Sequence, residues 1–210
     1  MWAHALPLCD YAVQGEYTVP MHIASALIGL LWLSFFVYWL VSAATAKRTI
    51  RGPYWWRAAA IRLTIVIIVY FLVKHPSLIH HLGGIGQRSH TTSLVRDSGI
   101  VLCAIGLAFA VWARRHIGKN WGMPMTSKEH PELVTTGPYA LVRHPIYSGI
   151  LLALLGSSLT TGVFDLALLV IFGVYFLYCA YVEEALMSKE FPDRYPEYKK
   201  RTKFLIPFVL

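Results

Sequence analysis

The chain has 210 residues, of which 56% are hydrophobic and only 14% charged, whereas soluble domains carry about a quarter charged residues. That balance excludes an ordinary water-soluble globule and predicts an integral membrane protein. The formal charge of +8 does not point to nucleic acid as a partner. The basic residues fall in short stretches between apolar runs, where they set topology and attract anionic membrane lipids.

Five apolar runs are read as transmembrane helices, over 21–46, 56–73, 98–113, 146–161 and 164–187. A helix needs about 20 apolar residues to cross a bilayer, so the third is short. The predicted fold class is therefore all-α: a polytopic membrane protein with five spans. The first run follows a polar segment containing Asp10 and Glu16. It lacks the basic start and short apolar core of a signal peptide, so it is expected to remain as an anchor. Lys47, Arg48, Arg51 and Arg57 follow the first run. Arg114, Arg115, Lys119, Lys128 and Arg143 follow the third, and a basic tail follows the fifth. With five spans all three groups share one side, against Lys74, Arg88 and Arg96 on the other. The amino terminus is then outside and the carboxyl terminus cytoplasmic, and the compactness of the chain, rather than its charges, leads to the expectation of a prokaryotic plasma membrane.

Two parts are expected. Residues 1–97 carry the first two helices and an outer loop. Residues 98–210 carry three helices, a cytoplasmic loop at 114–145 and a cytoplasmic tail at 188–210. A loop of this length is functional or disordered. This one carries Trp121, Met123, Met125, Leu133, Val134 and Tyr139, so a folded surface element is expected. Thr160-Thr161-Gly162 joins the last two runs so tightly that they must form an antiparallel helical hairpin. Cys103 and Cys179 lie within apolar runs as small buried side chains, and Cys9 completes no zinc or disulfide spacing. His75, His80, His81 and His90 share the outer loop without an acidic or thiol partner at ligand spacing, so no metal is expected.

The hairpin brings together two groups of ionisable residues, which at membrane depth read as functional. Arg143-His144-Pro145-Ile146-Tyr147-Ser148-Gly149 opens the fourth run. Pro145 suits the first helical turn, and the residue before a proline is extended, so His144 caps the helix. The amides of that turn can seat a carboxylate or phosphate. Gly149, one turn on, permits close approach of a flat ligand or of another helix. Glu183-Glu184 closes the fifth run. Adjacent carboxylates on a helix project about 100° apart, so one can face the interior and the other the interface. The buried one needs a cation, from Arg143 or from a ligand. The tail from Phe191 to Arg201 alternates aromatics with charges and reads as an interfacial segment on anionic lipid.

From residue 113 to residue 209 the chain resembles integral membrane methyltransferases related to isoprenylcysteine carboxyl methyltransferase. The resemblance rests on Gly118-Lys119-Asn120-Trp121, on Leu133-Val134-Thr135-Thr136-Gly137-Pro138-Tyr139, on the string Arg143 to Gly149, on Glu183-Glu184, and on the tail with Phe191, Tyr195, Tyr198 and Ile206-Pro207-Phe208. It implies S-adenosylmethionine as cofactor, in a cytoplasmic pocket lined by Leu133, Val134, Tyr139, His144, Pro145, Ile146, Tyr147 and Glu183, and Gly149, from its missing side chain, is expected beside the cofactor too. Arg143 and Glu184 are the residues expected to act on the acceptor. The acceptor itself is a lipophilic small molecule or lipid-modified group: a prenylcysteine-type carboxylate, or a thiol, amine or hydroxyl. Relatives often carry Arg or Lys shortly before the glutamate pair to orient an acceptor carboxylate, and here those positions are Cys179, Ala180 and Tyr181. Pro192 stands where relatives have Gly, and His130 is offset by one residue from their histidine. Two other activities fit the same helices: a nicotinamide-dependent reductase of sterol-like lipids, and a small transporter using Glu183 or Glu184 as a proton site.

Overall fold

The computed structural model describes residues 19–43, 49–50, 55–75, 92–122, 127–128 and 132–206. Five long helices dominate: α1 (Met21–Ala43), α2 (Trp55–Lys74), α3 (Ser93–Ile117), α4 (Pro145–Thr161) and α5 (Val163–Glu190). A short helix, α6 (Arg194–Arg201), follows. Three stretches, Met21–Ala43, Ser93–Asn120 and Val163–Glu190, are long and apolar enough to cross a membrane. The apolar α4 is shorter, at 17 residues. At 1.5 Å per residue it rises only about 25 Å. Strand structure among the described residues is confined to the two-residue antiparallel pairing of Thr49–Ile50 with Ser127–Lys128 and one parallel bridge between Val142 and Lys203. Both are loop-to-loop contacts. The outer-loop histidines from residue 80 on, Cys9, His130 and the final Pro207-Phe208 lie outside the described residues.

The third helix is longer than expected, beginning at Ser93 rather than 98 and ending at Ile117 rather than 113. Its charges had marked its ends in the sequence, yet the helix accommodates them. Arg96 donates to the neighbouring Asp97. Arg114, only 2% exposed, gives its guanidinium to the carbonyls of Ser42 and Gly118 and lies 4.6 Å from the Trp121 ring. A buried cation with carbonyl and aromatic partners need not end a span.

Helices α3 and α4 meet along a seam of small residues. A Cβ on Gly99, Gly106, Gly149 or Gly156 would fall 2.4–2.6 Å from an atom of the facing helix. The missing side chains let the two backbones touch, which is how helices associate where no hydrophobic effect separates protein from lipid. Polar groups reinforce the seam, with Thr160 Oγ1 donating to the Arg96 carbonyl at 3.0 Å. Ser157, fully buried, accepts from Trp32 Nε1 of α1 at 2.9 Å and draws that helix onto the pair.

One residue, Gly162 with φ 102°, separates α4 from α5. A positive φ at this turn favours glycine. The helices run antiparallel, since Tyr147 in the first turn of α4 reaches Glu183 near the end of α5. The helix α2 packs on the outside of α5, where Arg62 donates to the Tyr175 hydroxyl at 3.2 Å. The ends of α3 and α5 and the start of α4 thus converge at one basic end of the molecule.

Candidate functional site

From that end a cleft of about 600 Å³ runs along the helices as far as Leu154 and Asp165, within the size range of small-molecule sites. Two segments build its polar end. Thr136 to Ala140 form a tight turn fixed by His116, whose Nε2 lies 2.8 Å from Thr136 Oγ1 and whose ring sits beneath Gly137 (φ 60°). This turn presents Tyr139 to the cavity. His144 then precedes Pro145, the first residue of α4, with φ −123° and ψ 58°, short of the fully extended backbone expected. The proline disfavours a helical conformation there.

Three aromatic rings stack from the loop into the membrane part. The His144 and Tyr147 rings are 5.6 Å apart and almost parallel, and Tyr147 and Phe176 are 4.6 Å apart. Glu183 closes the stack. It accepts from the Tyr147 hydroxyl at 2.5 Å, and its other oxygen lies 3.5 Å from His144 Nδ1. His144 Nε2 stands 3.8 Å from Glu184, too far for a hydrogen bond. It is a buried polar atom with no hydrogen-bond partner in the cavity wall. Burial disfavours the imidazolium, but the Glu183 and Glu184 carboxylates outweigh it and raise the His144 pKa above its ordinary value.

Of the residues named from the sequence, Leu133, Val134, Tyr139, His144, Pro145, Ile146, Tyr147, Glu183 and Arg143 all line this cavity. Gly149 does not: its hydrogen faces Gly106 and Ala110 of α3. Its small size lets α3 and α4 pack closely, and it is not part of the cavity wall. Glu184 is also absent from the wall. It lies 7% exposed behind the wall, where Arg143 Nε and Lys199 Nζ both contact it, the latter at 2.6 Å. Arg143 further donates through Nη1 to the Thr202 carbonyl at 2.6 Å. These two residues, expected to act on the acceptor, spend their charges on each other and on the tail. The two carboxylates do diverge as helical geometry requires, with Glu183 towards the cavity and Glu184 towards the tail.

Sequence reasoning missed two parts of the wall. One is the carboxyl-terminal segment, read as an interfacial anchor, which contributes Tyr195 and Tyr198. The other is α1, from which Trp32, Phe35, Phe36 and Trp39 face the cavity opposite Leu168 and Phe172 of α5. Their spacing of three, one and three residues is a helical stripe that the sequence displays. The positions where relatives carry a cation offer none to the cavity. Cys179 is fully buried in the core, and Tyr181 is 66% exposed beside Phe204.

The fold and site define a helical membrane protein with a large cavity that is polar at its basic end and aromatic along its spans. Comparison with known proteins shows what part of the chain is similar to. Residues 95–194 match the family described as phospholipid methyltransferase. The protein-S-isoprenylcysteine O-methyltransferase of Schizosaccharomyces pombe is 30% identical over 121 residues, 56% of this chain and 51% of that protein. The nickel-cobalt-cadmium resistance protein NccN of Alcaligenes xylosoxydans xylosoxydans is 31% identical over 94 residues, 43% of this chain and 44% of its own length. Protein-S-isoprenylcysteine O-methyltransferase B of Arabidopsis thaliana is 34% identical over 84 residues, 39% of this chain and 43% of that protein. The chain spans about half the length of these curated relatives. The matched stretch is similar to phospholipid methyltransferases and to these isoprenylcysteine methyltransferases, and it contains most of the motifs noted in the sequence. Among the described residues no group of three or more His, Cys, Asp or Glu is arranged to hold a metal ion.

Proposed function

We propose that this protein transfers a methyl group from S-adenosylmethionine to a lipophilic acceptor that reaches the cavity from the membrane. The observation that carries the reading is the two-ended cavity, polar between His144 and Glu183 and aromatic between α1 and α5. The orphaned His144 Nε2 fits a polar cofactor, because a buried donor is satisfied only by a ligand or water. Leu133, Val134, Tyr139, Pro145, Ile146 and Tyr147 supply apolar and aromatic surface for an adenine. Glu183 suits an ammonium, a sulfonium or a ribose hydroxyl. When bound, the cofactor supplies an electrophilic methyl on a positively charged sulfur. The protein's contribution is to hold acceptor and methyl in line and to exclude water, and positioning of this kind is worth about 7–11 kcal/mol of barrier.

Arg143 is committed to Glu184 and to the Thr202 carbonyl. It is therefore poorly placed to orient an acceptor carboxylate, and a thiol, amine or hydroxyl acceptor meets less opposition from the wall. The charge asymmetry of the loops supports a cytoplasmic basic end and an amino terminus outside, with α2 and α4 spanning alongside the three longer stretches. The test is transfer of labelled methyl from S-adenosylmethionine to a total lipid and small-thiol extract by detergent-purified protein. Label in an organic-soluble product supports the reading. Binding of NADPH, with no S-adenosylmethionine binding and no transfer, overturns it in favour of a reductase.

A further inference from the structure

The segment from Arg194 to Ile206 is tied to the rest of the chain at several points, one of them the Glu184 carboxylate. Tyr198 donates its hydroxyl to the Tyr139 carbonyl at 2.7 Å, and the Arg143 amide donates to the Lys203 carbonyl at 2.9 Å. Ser148 donates to the Leu205 carbonyl, and Phe204 packs edge-on against His144 at 5.3 Å. This segment is thus a strap. Its Tyr195 and Tyr198 form part of the cavity wall. Glu184 of α5 is the common anchor: Arg143, from the loop before α4, reaches it from one side, and Lys199 of the strap reaches it from the other. Arg143 also grips the strap backbone at the Thr202 carbonyl and, at 3.4 Å, the Lys199 carbonyl. The loop before α4, the end of α5 and the strap are therefore held at one buried acid.

The anchor is asymmetric. The Arg143 and Glu184 side chains are each 10% exposed, whereas Lys199 is 43% exposed. The Arg143–Glu184 contact is a buried pair whose loss leaves a stranded charge. The Lys199 contact is half in water and open to screening by salt. One bond of the anchor is a fixture and the other can open.

We infer that Lys199 is a positioning residue that latches the strap onto Glu184 over the cofactor cavity, and that opening of this ion pair sets the rate at which the cofactor leaves. The inference rests on the methyltransferase reading above. Lys199 is not part of the cavity wall. It acts through Tyr195 and Tyr198, which turn away from the cavity when the strap lifts.

The experiment compares Lys199→Met, which keeps the stem and removes the charge, with Lys199→Arg, which restores it. The full-length detergent-purified protein is used, and dissociation of S-adenosylhomocysteine is followed by stopped-flow fluorescence at low and high salt. A charge-assisted contact of this exposure is expected to change the release rate about three- to tenfold. Lys199→Met therefore releases faster by that factor and no longer responds to salt. It also shows a raised KM for S-adenosylmethionine with kcat within about twofold, since a latch outside the reacting centre affects binding rather than chemistry. Lys199→Arg behaves as the parent does, and trypsin cuts the strap faster only in Lys199→Met. Unchanged release in Lys199→Met, release that keeps its salt dependence, or a fall in kcat at unchanged KM each overturns the latch. Failure of the parent protein to bind either cofactor form overturns the methyltransferase reading itself, a separate result.

Discussion

The α3–α4 seam makes the sharpest prediction about the fold. A methyl group at Gly156 would fall 2.4 Å from the Cys103 amide nitrogen and 2.5 Å from the Gly99 carbonyl. Ordinary contacts begin near 3.4 Å, so the helices must part by about 1 Å. The obstructing atoms are backbone and cannot rotate away. Overpacking of this kind costs about 1–3 kcal/mol, and at this chain length each kcal/mol lowers Tm by about 2–4 °C. Gly156→Ala should therefore unfold earlier by about 2–12 °C in detergent, followed by intrinsic fluorescence. Gly29→Ala is the control, because nothing lies within 4 Å of its added methyl, and alanine favours a helix. A Gly156→Ala protein as stable as Gly29→Ala would refute the close-packed seam. Gly149→Ala belongs with Gly156→Ala, since its methyl would meet Gly106 O at 2.6 Å and Ala110 N at 2.7 Å. Loss of cofactor affinity at unchanged stability in that variant would instead place Gly149 at the ligand.

Other perturbations separate the remaining roles. Glu184→Gln leaves the Arg143 guanidinium buried without its counter-charge, so stability in a denaturant titration should drop by about 3–5 kcal/mol. A merely slower but equally stable enzyme would return Glu184 to the chemistry. The His144 pKa is raised in the folded protein, so the stabilisation from its imidazolium is complete below the unfolded value of about 6.5 and lost as pH rises through the folded value. Melting temperature should fall over that window in the parent and show no such step in His144→Gln. Phe36→Ala opens the α1 side of the cavity and should raise KM for a long-chain acceptor, leaving cofactor affinity unchanged; equal KM for both proteins would detach α1 from the acceptor path.

Much of the fold and part of the site were readable before any coordinates. The hairpin followed from a three-residue connection, and the meeting of His144 with Glu183 followed from the hairpin. Both are local consequences of Pro145 and Gly162. Gly149 was ambiguous, because a missing side chain looks the same whether a ligand or a backbone fills the space, and only the facing Gly106 and Ala110 decide. Arg143 and Glu184 were found as a pair of charges, but their task depended on Lys199 and the Thr202 carbonyl, more than 50 residues along the chain from Arg143. The strap shows its inward face as Tyr195 and Tyr198, three residues apart, but that spacing suits a lipid interface as well as a cavity wall, and many of its ties are to backbone carbonyls, which any sequence possesses. The α1 stripe was visible as Trp32, Phe35, Phe36 and Trp39, yet such a stripe faces lipid, protein or a cavity with equal ease in a membrane helix.

The central claim is that the His144–Glu183 end of the cavity holds S-adenosylmethionine. Isothermal titration of S-adenosylmethionine into the detergent-purified protein and its Glu183→Ala variant tests it directly. The account predicts saturable one-to-one binding by the parent and at least tenfold weaker binding by a variant that remains folded, about 1.4 kcal/mol or more. Equal affinity in the two proteins, or no binding by either, would contradict it.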